Sequence, residues 1–221
     1  MTIQPCILEF VGLPGAGKST VRKILSGRDT RFRFRVSPPK SAYVPFLLSH
    51  PQLWVTARLH DFSFPLLRFP DEVRYMSYLS IFIPYLKKQA STNNSIPMLD
   101  PGSVFWLHAV CDLHRRITGT RSFETWRRRM FAQWSAALRL LVFLDAPGEL
   151  LFQRIHSRDE HHPWIDKSEV AFHESCDRCR DGLNTVISSI LEHRQVPVLR
   201  FSTDKVEPKA VADAVLSVIN S

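Results

Sequence analysis

Apolar positions along the chain follow two alternating rhythms. Short β-prone runs occupy Cys6 to Val11, Arg31 to Val36, Ile96 to Asp100, Leu138 to Ala146 and Val196 to Phe201. Between them, apolar residues recur every three or four positions over Lys18 to Ser26, Ser103 to Gly119, Ser122 to Ala137, Pro147 to Arg158 and Glu207 to Ile219. Strands that alternate with amphipathic helices in this way predict an α/β fold, a mostly parallel sheet with helices on both faces. Gly27 is placed to end the first helix. Arg31 to Val36 alternates strictly, with three arginines on one face and Phe32, Phe34 and Val36 on the other. Such a strand belongs near a sheet edge, where its cations either meet an anionic ligand or discourage edge-to-edge pairing. Ser37-Pro38-Pro39 breaks regular structure. The following Phe-, Leu- and Pro-rich segment, Ser41 to Lys87, is expected to be mostly helical.

The first strand runs directly into Gly12-Leu13-Pro14-Gly15-Ala16-Gly17-Lys18-Ser19-Thr20, and Gly12 to Ser19 fits the phosphate-loop pattern G-x-x-x-x-G-K-[ST] at every fixed position. Glycines without a Cβ let consecutive N–H groups curl around an anion. Lys18 supplies a flexible positive charge for β- and γ-phosphates, Ser19 can ligate Mg²⁺, and the helix starting there turns its positive dipole end to the same place. An ordinary glycine turn is the alternative, and the readable strand and helix on either side argue against it.

Composition narrows the setting. A chain of 221 residues with 44% hydrophobic residues suits one domain, residues 1–221, with a substantial core. No apolar run approaches the roughly 18 residues of a membrane span, and Met1 to Pro5 lacks the start of a signal peptide. A soluble, cytoplasmic protein without a membrane partner is expected. Four cysteines in a chain of this size fit a reducing compartment better than a disulfide framework. A net charge of +8 favours anionic ligands without choosing among nucleotides, phosphorylated metabolites and nucleic acids.

Several residues carry candidate chemistry. The helical stretch of about 41–95 reads as an acceptor-binding region, its aromatics (Tyr43 among them) walling a pocket or filling the core. Arg74 lies among apolar neighbours, where a buried guanidinium would want an anion or a neighbouring acid. Asp100 closes the third strand, beside the phosphate loop in an open α/β sheet. It would hold Mg²⁺ through water, accept a proton from an acceptor hydroxyl, or cap a turn. Arg121, at the break between two helices, is placed to reach a ligand; Arg115-Arg116 and Arg127 to Arg129 read as a solvated face. His173, Cys176 and Cys179 step by three along a helix, a poor template for tetrahedral zinc.

The phosphate loop, followed later by Leu141-Val142-Phe143-Leu144-Asp145-Ala146-Pro147-Gly148 and a helix carrying Arg154 and Arg158, resembles the thymidylate kinase and nucleoside kinase branch of P-loop kinases. The resemblance implies a three-layer α/β/α fold with a five-stranded mostly parallel sheet. It also implies ATP and Mg²⁺ as cofactors and a lid at about 157–168, with Arg154 and Arg158 acting on the phosphates. The adenine would lie near Ser202-Thr203-Asp204, with Thr203 as a binding residue. Where those kinases carry Asp-Arg or Glu-Arg-Ser after the third strand, this chain has Asp100-Pro101-Gly102-Ser103, and Ser37-Pro38-Pro39-Lys40 stands where they place an acidic residue. Those departures direct the acceptor away from dTMP and the common nucleosides.

The expected activity is γ-phosphoryl transfer from Mg·ATP to a nucleotide, a nucleoside or another hydroxylated metabolite. A homodimer stays open. A regulatory NTPase ranks below this, because Asp100 lacks a glycine at 103 and Thr203-Asp204-Lys205 is no guanine motif. A polynucleotide 5′-hydroxyl kinase also ranks lower, since no nucleic-acid-binding motif accompanies the basic charge.

Overall fold

Five parallel strands form one sheet in the order β2-β3-β1-β4-β5. The computed structural model describes residues 6–34, 38, 71–93, 95–113, 120–157 and 162–220. In chain order the elements are β1 (Ile7–Val11), α1 (Lys18–Arg28), β2 (Phe32–Arg33), α2 (Asp71–Asn93), β3 (Ile96–Leu99) and α3 (Ser103–His108), which continues as a π-helical turn over Ala109–Leu113. They are followed by α4 (Arg121–Ala137), β4 (Leu138–Asp145), α5 (Gly148–His156), α6 (Glu169–His193), β5 (Val198–Ser202) and α7 (Pro208–Asn220). Tyr43 and the rest of 41–70, Arg35 to Ser37 and Pro39-Lys40, Arg115-Arg116, and Arg158 with 159–161 of the expected lid lie outside the described residues.

β1 and β4 are buried on both faces because the sheet separates two apolar clusters. Ile7, Val11, Leu141 and Phe143 point to one side, where α2, α3, α4 and the C-terminal half of α6 pack. Leu8, Phe10, Leu140 and Val142 point to the other, against α1, α5 and α7. This accounts for near-continuous apolar strands instead of alternating ones. The two faces are tied by α6, whose Phe172 and Cys176 join the second cluster while Leu183 to Ile190 join the first. Among the described residues, no helix is long and apolar enough to cross a membrane.

Some boundaries differ from the sequence reading for local reasons. α1 passes through Gly27 and ends at Asp29, whose extended backbone still donates its N–H to Leu25 O and whose carboxylate accepts the Arg31 N–H at 2.8 Å. Gly27 does not take up the left-handed conformation that stops a helix; among the described residues the positive-φ glycines are Gly12, Gly15 and Gly17. α4 starts at Arg121 because the Thr120 hydroxyl accepts the Phe123 N–H. α2 accommodates Pro84 in its interior.

Candidate functional site

The site grows out of the C-terminal ends of β1 and β3. Val11 is in register with Phe143 of β4, and the backbone then turns at Gly12 with φ 135°. A Cβ at Gly12 would lie 1.9 Å from Leu144 O, so only glycine fits where the loop leaves the sheet. Gly15 and Gly17 follow with φ 87° and 81°, which wraps the loop into a cradle. α1 begins at this point with Gly17 as its N-cap, without a side-chain cap and without an acidic residue in its first turn. The Thr20 N–H closes the first turn on Gly17 O at 3.1 Å, and the positive end of the helix dipole, with no acid of its own to meet it, is offered to a ligand. Lys18 folds back across the loop and donates through Nζ to Gly12 O at 2.8 Å and Leu13 O at 2.9 Å.

The cradle bounds a cavity of about 310 Å³ lined by Glu9 to Gly12, Pro14 to Thr20, Asp100, Pro101, Phe105, His162 and Leu183. The structure thus brings Asp100 to the phosphate loop, as its place at a strand end requires. Arg22, on α1, spans the gap between them. Its Nη2 lies 3.0 Å from Ser19 Oγ and 3.2 Å from Asp100 Oδ2, while Nη1 donates to Asp100 O at 3.4 Å. A cation therefore already stands between the two oxygens expected to hold Mg²⁺. Such a pair suits a hard, oxygen-seeking ion.

On the far side of Arg22 a second cavity of about 320 Å³ is lined by Arg22, Phe34, Tyr78, Met98, Leu99, Asp100, Pro101 and Trp106. Asp100 and Pro101 are common to both cavities. The Arg22 guanidinium stands 5.3 Å from the Phe34 ring centroid. Arg74 does not enter the second cavity; it is exposed, 5.2 Å from the Tyr75 ring, which itself packs 4.6 Å from Trp106. The buried guanidinium expected there is not observed, because the helix buries Met76 and Leu79 and turns position 74 outward. Arg121 is likewise exposed, in the first turn of α4, and lines neither cavity.

Arg154 reaches across from α5 to the loop. It donates to Gly15 O at 3.2 Å and to Thr203 Oγ1 and O at 2.9 and 3.1 Å. Thr203 is fixed in turn by its N–H on Asp145 O at 2.8 Å. The structure therefore joins Arg154, which the resemblance placed on the phosphates, to Thr203, which it placed near the adenine, through one guanidinium on the rim of the cradle. From α6, Arg180 is held by Asp145 Oδ2 at 2.8 Å, Asp177 Oδ1 at 2.8 Å and Ala146 O at 2.8 Å. It fastens α6 to the end of β4 instead of facing the cavity. His173 sits against Gly148, and Cys176 is buried among apolar residues, where burial pushes its thiol up to about 11. These side chains diverge around α6, and among the described residues no three His, Cys, Asp or Glu groups gather as a metal site.

Glu9 and Arg22 belong to the site without a motif to announce them. Glu9 is fully buried in β1, and its carboxylate accepts Ser103 N–H at 2.9 Å, Ser103 Oγ–H at 2.5 Å and Val104 N–H at 2.7 Å. It pins the start of α3, and with it the stretch just after Asp100, to the strand below the cradle. Burial pushes its pKa from 4.5 to about 7 against the pull of those three donors, and the nearby Asp100 adds to the rise. A lone acid inside the strand Ile7-Leu8-Glu9-Phe10-Val11 was the available signal.

No known protein family's pattern and no curated protein matches the chain. Solved structures do. YorR from Bacillus subtilis, in complex with phosphorylated GDP, is 13% identical with a TM-score of 0.53 over 97% of this chain and 95% of its own. Deoxyadenosine kinase from M. mycoides with bound dATP is 13% identical with a TM-score of 0.54 over 97% and 100%. Thymidylate kinase from Candida albicans is 16% identical with a TM-score of 0.50 over 98% and 92%. With its parallel sheet, its glycine loop and these neighbours, the chain has the P-loop kinase fold, resembling the nucleoside and nucleotide kinase branch.

Proposed function

We propose that the protein is an ATP-dependent kinase that moves the γ-phosphoryl group to a small hydroxylated metabolite. One observation carries the reading: the Lys18 cradle and Asp100 bound one cavity, and Asp100 also bounds a second, aromatic-walled one next to it. A phosphoryl donor in the first and an acceptor in the second would meet at Asp100. The cradle amides and Lys18 hold the triphosphate, while Arg154 and Thr203 brace its base side. Mg²⁺, held by Ser19 and through water by Asp100, would neutralise charge on the β- and γ-oxygens.

In the transfer, Asp100 takes the proton of the acceptor hydroxyl as its oxygen bonds to the γ-phosphorus. The bond from that phosphorus to the β–γ bridging oxygen breaks, and ADP leaves with the electron pair. Lys18 stays with the charge as it spreads over the oxygens. His162, from the segment after α5, lines the cavity where water must be excluded. Arg158 is placed by the same reading on the closing segment. The acceptor is walled by Phe34, Tyr78 and Trp106, which suit a molecule with a flat apolar part.

The test is a screen of nucleotides, nucleosides and small hydroxylated metabolites for acceptor-dependent ADP release, with an acceptor-free control. Stimulation by one chemical class supports the proposal. Equal ADP release with and without every acceptor points to a simple NTPase and overturns it.

A further inference from the structure

Arg22 stands in unusual surroundings for a cation. It is largely buried, as is Asp100, with side-chain exposures of 14% and 13%. One terminal nitrogen serves both Ser19 and Asp100, while its Nε is buried with no hydrogen-bond partner among the described residues. An orphaned guanidinium N–H is costly in a dry site. Its neighbours there are the Phe34 ring and the aromatic cavity. A guanidinium presents a fork of donors matched to two oxygens of a carboxylate or phosphate. In its observed position the Nε side of that fork is unused.

From this geometry we infer that Arg22 is an acceptor-selecting residue that stands in for the metal at rest. It occupies the position between Ser19 and Asp100, yields it to Mg²⁺ when the nucleotide binds, and then presents its free fork to an anionic group on the acceptor. The acceptor class is thereby narrowed to metabolites that combine a flat apolar part with a carboxylate or phosphate. The inference rests on the kinase reading and deepens it. It also supplies an order. While Arg22 bridges Ser19 and Asp100, the metal's position is taken and the donor site stays unassembled. Once Arg22 has moved, an anion in the second cavity satisfies it and leaves Asp100 to the metal and the acceptor hydroxyl.

The sign of one binding change tests this. Removing a residue that merely orients Asp100 weakens metal binding or leaves it unchanged; removing a resident competitor strengthens it. In calorimetric titrations of the full chain loaded with a non-hydrolysable ATP analogue, Arg22→Met should tighten Mg²⁺ binding about tenfold, the equivalent of about 1.4 kcal/mol. Methionine keeps the helix propensity of the position. In the same protein, phenyl phosphate should bind wild type better when Mg²⁺ and the analogue are present than when they are absent. Phenol should show no such gain, and Arg22→Met should abolish it. Weaker or unchanged Mg²⁺ binding in Arg22→Met overturns the inference, as does a gain for phenol equal to that for phenyl phosphate. If the methionine variant fails to fold, Arg22→Lys takes its place; a lysine cannot bridge both oxygens, and it should still tighten Mg²⁺ severalfold. A wild-type protein that binds no Mg²⁺ and analogue at all refutes the kinase reading itself, a result distinct from a change of the wrong sign.

Discussion

The cradle's glycines differ in what a methyl group would meet, and that difference sets a quantitative expectation. At Gly17, φ is 81° and, its chain neighbours aside, no atom of the described residues lies within 4 Å of the place a Cβ would take, so alanine there suffers only the left-handed backbone cost, about 1–2 kcal/mol. At Gly12, φ is 135°, and the same carbon would stand 1.9 Å from Leu144 O and 3.0 Å from Leu144 C. Leu144 belongs to β4, the central neighbour of β1, so the obstacle is a sheet backbone that cannot swing aside. Backbone strain of about 1–3 kcal/mol then adds to an overpacking cost of similar size. Gly12→Ala should therefore lose roughly 4 kcal/mol of stability, at least about 2 kcal/mol more than Gly17→Ala. Urea unfolding of both variants, compared by midpoint with the slope checked for constancy, measures the gap. Losses equal within about 0.5 kcal/mol would refute the claim that close approach to β4 fixes the loop's exit.

Other outcomes follow from individual contacts. Lys18→Ala should cut acceptor-dependent turnover by about a thousandfold or more, roughly 4 kcal/mol of transition-state stabilisation, while its far-ultraviolet dichroism and melting curve stay close to wild type. Arg154→Met should weaken binding of the ATP analogue about tenfold by calorimetry, because three donor contacts to Gly15 and Thr203 are lost together. Glu9 predicts a pH effect independent of turnover. Its folded pKa of about 7 exceeds its ordinary 4.5, so the native state retains a proton that the unfolded chain has released in between. Stability should fall as pH rises through that window, by on the order of 3 kcal/mol relative to Glu9→Gln between about pH 5 and pH 8. A wild-type-minus-variant difference that is flat with pH would contradict the assignment.

Most of the fold was legible because its signals are local. The glycine loop, the apolar β4 run and the α5 pattern each declare themselves within a dozen residues, and together they imply the parallel sheet that the structure contains. Asp100 could be placed by topology alone, since strand ends converge in such sheets. Arg22 could not. On α1 it reads as one more surface cation, and its partner Asp100 is 78 positions away. Glu9 was conspicuous in its strand, but the groups that stabilise it, Ser103 and Val104, lie 94 and 95 positions downstream. Arg74 shows the converse error. Apolar neighbours in sequence suggested burial, whereas helical periodicity turned that one position to solvent. Gly27 similarly looked like a stop, yet the helix continued one residue beyond it to Arg28, because a glycine ends a helix only when the chain uses its left-handed conformation.

A structure of the full chain with Mg²⁺ and a non-hydrolysable ATP analogue tests the central claim most directly. The account predicts the triphosphate wrapped by the amides of Gly12 to Ser19, with Lys18 turned from Gly12 O and Leu13 O onto the phosphates and the second cavity left open beside Asp100. Nucleotide bound elsewhere, or a cradle still closed by Lys18 at saturating ligand, would contradict it.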